Sequence, residues 1–197
     1  MISKSEMVGG RLVSEYPNIW WQWTYTMPRE VNPVRDLTGE HCQEGQKGGV
    51  WFLAGGYGSS KISRKCEIPK NDYIFFPIIN MLYYPRGDAQ ILCESVKRNA
   101  ALNNDKLLSI EVSLDGMVAM NPAHTRMSSD NCFDLMGGIP SDQHPPKIFP
   151  SATDGYWVML KPLSEGKHIL KFNAQYNREK GAFSKMVQDI EYELIVK

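Results

Sequence analysis

The chain of 197 residues has no Lys/Arg block, no long apolar run and no net charge: 22 basic residues balance 22 acidic ones. A nucleic-acid binder carries a basic stripe, so nucleic acid is not an expected partner. The longest apolar stretch, Tyr73 to Asn80, is broken by Pro77 and is far short of the ~18 residues that cross a bilayer as a helix, so the chain is not expected to span a membrane. Met1 to Val13 has no apolar core and does not read as a signal peptide. Its start, Met1 to Ser3, lacks any pattern and is expected to contribute little.

The motifs of common chemistries are also missing. No G-x-x-x-x-G-K-[ST] or G-x-G-x-x-G occurs, and Gly55 to Ser60 is a glycine-rich turn without a phosphate-binding lysine, so no cofactor is expected. There is no G-x-S-x-G nucleophile elbow. His41, His124, His144 and His168 are scattered, with no H-x-H or H-E-x-x-H, so no metal site is predicted. His168 is in phase with Leu170 and Phe172, which marks it as a core histidine with satisfied hydrogen bonds. Four cysteines, Cys42, Cys66, Cys93 and Cys132, form no C-x-x-C unit. Their even number fits either disulfides or four buried thiols.

What is present is a β pattern. Val50 to Ala54 is a continuous apolar run, expected as a strand buried on both faces. Lys61 to Ile68 alternates, with Arg64 on the same face as Ile62, Cys66 and Ile68, which places that strand near an edge or beside a polar partner. Pro77 cannot donate to a ladder, so Tyr73 to Asn80 is expected to be an edge strand or to hold a bulge. Leu108 to Leu114 alternates strictly and meets Asp115-Gly116, a two-residue hairpin turn, before Met117 to Met120 returns. Gly155 to Lys161 is apolar, and His168 to Asn173 alternates. The last strand puts Ile190, Tyr192, Leu194 and Val196 on one face.

Two helices are expected. Pro17 and Pro28 bracket one in the N-terminal segment, with Trp20 and Trp23 on one face and Trp21 turned ~100° away. Asp88 to Leu102 is the other, capped by Asp88. The pattern predicts a single mainly β domain over 1–197: an antiparallel two-layer β-sandwich, jelly-roll-like, with a partly helical segment over 1–28 and one inserted helix.

Further strings carry a resemblance. They are Trp20-Trp21-Gln22-Trp23, Asn32-Pro33 with Asp36 and Gly39, Cys42 with Gly45-Gln46, and Val50 to Gly55. Arg64 with Cys66 and Pro69, Phe75 to Asn80, Asp115-Gly116, and Arg126 with Ser128 and Phe133 follow. Asp154 to Trp157 and Lys161 to His168 complete the set. Together they resemble a largely uncharacterised family of exported bacterial proteins. The resemblance implies a periplasmic or secreted domain and a Cys42–Cys66 disulfide, whose loop closure is worth roughly 3–4 kcal/mol. It implies no catalytic residue.

Three functional readings follow. The first is a non-catalytic binding or structural module of the bacterial envelope or exterior, with a carbohydrate or a protein as its partner. Aromatic rings at Trp20, Trp21, Trp23, Tyr83 and Tyr84, with the carboxylates Asp36 and Asp154, would line its site, while Trp51 and Trp157 read as core. The second is a hydrolase using a histidine or the loop carboxylates Asp36, Asp88 and Asp154, each of which equally suits a turn or cap. The third is a small inhibitor or immunity-type protein, which a large exposed apolar patch without a cleft would mark.

Overall fold

A computed structural model describes residues 1–58, 61–86, 90–118, 122–139, 146–178, 180 and 184–197, without the side chains of 122–123. Asp88, Met120 and His144 lie outside the described residues. The described strands are β1 (Met7–Val8), β2 (Arg11–Leu12), β3 (Val50–Phe52), β4 (Lys61–Ile68), β5 (Tyr73–Tyr83), β6 (Leu107–Leu114), β7 (Met117–Val118), β8 (Arg126–Ser128), β9 (Ala152–Leu160), β10 (Gly166–Asn177) and β11 (Lys185–Val196). The helices are α1 (Tyr16–Thr26) and α2 (Cys93–Ala101).

The protein is mainly β, and its sheets are open. One sheet runs β4-β11-β10-β6-β7 and the other β3-β5-β9-β8, with β1–β2 a separate hairpin. Alternation sends Phe172, Tyr192 and Leu194 from the larger sheet, and Phe76, Ile78 and Val158 from the smaller, into one apolar core between them. The pairing departs from the antiparallel expectation in two places. β4 runs parallel to β11, and β3 parallel to β5.

The outer side of the larger sheet is wet. Glu191 on β11 holds Lys61 of β4 at 3.9 Å and Lys171 of β10 at 3.0 Å. Glu193 likewise holds Lys65 at 3.3 Å and Lys167 at 2.6 Å. The outer side of the smaller sheet is instead covered by α1. Pro17 starts that helix and Pro28 follows its end. Tyr16, Trp20, Trp23 and Thr24 are buried, and the three aromatic rings form a second core with Phe75, Trp157 and Met159. Ile2 packs on this core and donates its N–H to Met159 O at 2.8 Å. The first residues are therefore docked, contrary to the expectation from their lack of pattern.

Several local expectations are refined. Pro77 lies at a bulge in the interior strand β5, where the register to β9 shifts between Pro77 and Ile79. β3 is an edge strand, yet Trp51 and Leu53 enter one core while Val50 and Ala54 enter the other. Leu108 is exposed despite its phase, because the register to β10 shifts at Gln175/Tyr176 and sets Leu107 opposite Tyr176. Asp115 and Gly116 both have positive φ, 52° and 78°, as the hairpin turn requires. α2 begins at Cys93, later than expected, with Val96 and Ala100 buried. β9 begins at Ala152, so Asp154 is a strand residue and not a loop one. No helix among the described residues is long and apolar enough to cross a membrane.

All four cysteines are paired, Cys42 with Cys66 and Cys93 with Cys132. Two disulfides suit an oxidising, extracytoplasmic environment.

Candidate functional site

Residues 45 to 50 are rich in glycine and leave a gap beside α1. Gly45, at φ +63°, lies flat against Trp23: a Cβ there would meet Met27 Cε at 1.7 Å and Trp23 Nε1 at 3.0 Å. Trp23 Nε1 donates to Glu44 O at 2.9 Å, which holds the loop to the helix. Gly48 and Gly49 have φ of +79° and +76°, and open space where a side chain would stand. The Gly9-Gly10 turn of β1–β2 brings Arg11 to the same place, and Gly137-Gly138 closes the far side over Gln22.

These pieces enclose an open cleft of about 510 Å³, within the size range of small-molecule sites. Its floor is apolar. Ile19 of α1, Met27, Val50 and Phe52 contribute, with the Trp23 and Phe52 rings 5.4 Å apart and inclined at 45°. The neutral polar side chains on the wall are turned into the protein. Gln22 Nε2 donates to Asp134 O at 2.8 Å, and Thr26 Oγ1 to Gln22 O at 2.7 Å. Tyr16 donates its hydroxyl to Val8 O at 2.8 Å, and burial raises its pKa, so it stays neutral. The charged groups of the lining are Arg11 and Lys47; among the described residues no carboxylate, histidine or cysteine lines the cleft.

The residues singled out in the sequence do not converge. Trp23 lines the cleft. Trp20 is 2% exposed, packed edge-on to Trp157 and bonded to Leu53 O, so it offers no face to a ligand. Trp21 turns away and donates to Thr153 Oγ1 at 2.8 Å. Tyr84 meets Tyr25 instead, hydroxyl to hydroxyl at 3.1 Å; burial, then the Tyr84 hydroxyl, pushes the Tyr25 pKa up to about 12. Tyr83 pairs with Ala152 in the sheet. Trp51 and Trp157 are core, as expected. Arg11, Lys47, Ile19 and Phe52 were not singled out; the glycines around Lys47 are the trace the cleft leaves in the sequence.

The carboxylates each serve the fold. Asp36 accepts from the N–H groups of Thr38, Gly39 and His41 and from the Thr38 hydroxyl. Burial opposes its charge, but these four donors prevail and lower its pKa. Asp154 is 1% exposed and accepts from Ser128 Oγ, Arg126 Nε at 3.1 Å and Asn104 Nδ2 at 3.0 Å. Burial raises its pKa against the pull of these partners. Arg126 also reaches Asp105 at 2.6 Å. Asp154 is thus enclosed and saturated.

Ser164, His168 and Asp115 have the outline of a catalytic triad: Oγ to Nε2 is 3.2 Å and Nδ1 to Oδ2 is 2.7 Å. However, His168 Nε2 also lies 2.9 Å from Ser164 O. A carbonyl can only accept, so Nε2 is its donor and has no lone pair for the Ser164 proton. Asp115 accepts the Nδ1 proton and the Ile169 N–H at 2.8 Å. His168 is a half-buried link between two turns, with its hydrogen bonds satisfied. No group of three or more His, Cys, Asp or Glu that could hold a metal occurs among the described residues.

No family model matches the chain, and no curated protein does. Among solved structures, the cysteine protease inhibitor EhICP2 from Entamoeba histolytica is similar at 17% identity, over 68% of this chain and 86% of that one, with a TM-score of 0.26. A likeness that loose carries no functional argument.

Proposed function

We propose that the chain is a non-catalytic binding module of an extracytoplasmic compartment, and that the cleft beside α1 takes its ligand. The observation that carries this reading is the cleft's lining: apolar, aromatic and cationic, with no general acid, general base or activated nucleophile among the described residues. Elsewhere, the groups that suggested a hydrolase are consumed by structural hydrogen bonds, as at Asp36, Asp154 and His168. The two disulfides support the compartment, and the resemblance to exported bacterial proteins supports a bacterial envelope or exterior. An inhibitor-type surface would instead be marked by an apolar patch without a cleft.

The test is a thermal-shift screen of saccharides and small organic anions against the native chain and Ile19→Trp, which fills the cleft from a half-buried helix position. A ligand that raises the melting temperature of the native chain and not of Ile19→Trp is expected. Ligands that stabilise both equally would move the site elsewhere. Glycoside or ester hydrolysis abolished by Asp154→Asn would replace this reading with an enzyme.

A further inference from the structure

Among the described residues, seven of the 22 basic side chains pair with a carboxylate. Lys61, Lys65, Lys167 and Lys171 each sit on a glutamate, Lys97 on Glu94, Lys197 on Glu67 and Arg126 on Asp105. Arg11 and Lys47 are among those that do not. They are exposed, come from two separate segments, and meet at one cleft, where neither has a carboxylate partner among the described residues. Among the described residues no acid lines the cleft, and the Asp72 carboxylate behind it accepts the Gly49 N–H at 2.9 Å.

The neutral side chains narrow the ligand further. A saccharide is recognised by many hydrogen bonds to its hydroxyls, yet Gln22, Thr26 and Tyr16 already donate to backbone carbonyls. A sugar ring also stacks on an exposed flat aromatic face. Here Trp23 is only 7% exposed, and its ring is inclined to Phe52. What the cleft presents is an apolar floor with two free cations at its rim. Resting on the binding reading above, we infer that the ligand is a small amphiphilic anion: an apolar body seated on Ile19, Met27 and Phe52, with a carboxylate or comparable anionic head held between Arg11 and Lys47.

Isothermal titration with phenylbutyrate, its uncharged amide and the neutral disaccharide maltose tests this on the full chain. Native protein binds the carboxylate more tightly than the amide by roughly 2- to 30-fold, the range for two exposed charge contacts. The preference shrinks with added salt. In Arg11→Gln/Lys47→Gln the carboxylate falls to the level of the amide, while the amide is unaffected. Both positions are exposed, so circular dichroism of the double variant should match the native chain. Equal binding of carboxylate and amide by the native chain overturns the anionic head and leaves the cleft as a binding site. Binding of maltose alone replaces the anion with a neutral sugar. No binding of any probe overturns this ligand class; the binding reading falls with it only if the screen also yields no ligand that Ile19→Trp blocks.

Discussion

Arg64 stands on the core face of β4 between Ile62 and Cys66, where a cation has no water. It donates to Asp36 O and Ala54 O at 2.7 Å, to Gly55 O at 3.0 Å and to the Tyr192 hydroxyl at 2.9 Å. A guanidinium offers five donors in a fixed fork, which is why arginine can be buried there and lysine would not serve the same acceptors. At His168 the charge has a different consequence. The Asp115 carboxylate raises the His168 pKa above its ordinary 6.5, and His168 lowers that of Asp115 below 3.8. A raised histidine pKa adds stability below the unfolded value that is lost as pH rises through the folded one. A lowered carboxylate pKa adds stability that is lost as pH falls through its folded value. The pair therefore contributes most between about pH 4 and 6.5. Thermal melts should show a small fall in melting temperature as pH is raised from about 6 to 8, and His168→Gln should flatten it. A fall of equal size in His168→Gln would assign the dependence to other groups.

At the scale of elements, one edge of each large sheet, β3 and β4, is met by neighbouring chain. Gln46 uses its amide as a strand would, donating to Phe52 O at 2.8 Å and accepting from Phe52 N at 2.9 Å. Along β4, Thr38 O accepts from Lys65 N at 2.9 Å. Gly39 approaches so closely that a Cβ would lie 2.2 Å from Lys65 O. These contacts blunt edges that would otherwise recruit another strand. β11 is the opposite case, an interior strand bonded to β4 on one side and β10 on the other. Ending the chain at Gln188 removes Ile190, Tyr192, Leu194 and Val196, all buried. At roughly 1.5–3 kcal/mol each, their loss is comparable to the entire net stability of ~5–15 kcal/mol. The truncated chain should show no cooperative melt. A native-like melt would mean that β11 is dispensable to the sheet.

Over the whole molecule, the disulfide Cys42–Cys66 ties the loop carrying Asp36 and Gly39 to β4, across a separation of 24 residues. Replacing both cysteines by serine should cost about 3–4 kcal/mol in a urea melt. Thiol counting on unfolded, non-reduced native protein should find none free; four free thiols would refute the pairing. The mainly β class, the alternation of β4, β10 and β11, the Asp115-Gly116 turn and the proline limits of α1 were legible in the sequence. Each rests on a period or a backbone restriction carried by a few adjacent residues. Even the choice between an edge and a bulge at Pro77 was narrowed by its missing N–H, though only the register between β5 and β9 decided it. The parallel pairings, the exposure of Leu108 and the burial of Asp154 depended on partners far along the chain. So did the cleft, whose cations come from positions 11 and 47 and whose floor comes from α1 and β3. Local pattern sets which way a side chain points along its own element. What stands opposite it is set by packing between elements, and for this protein the candidate site was decided at that second level.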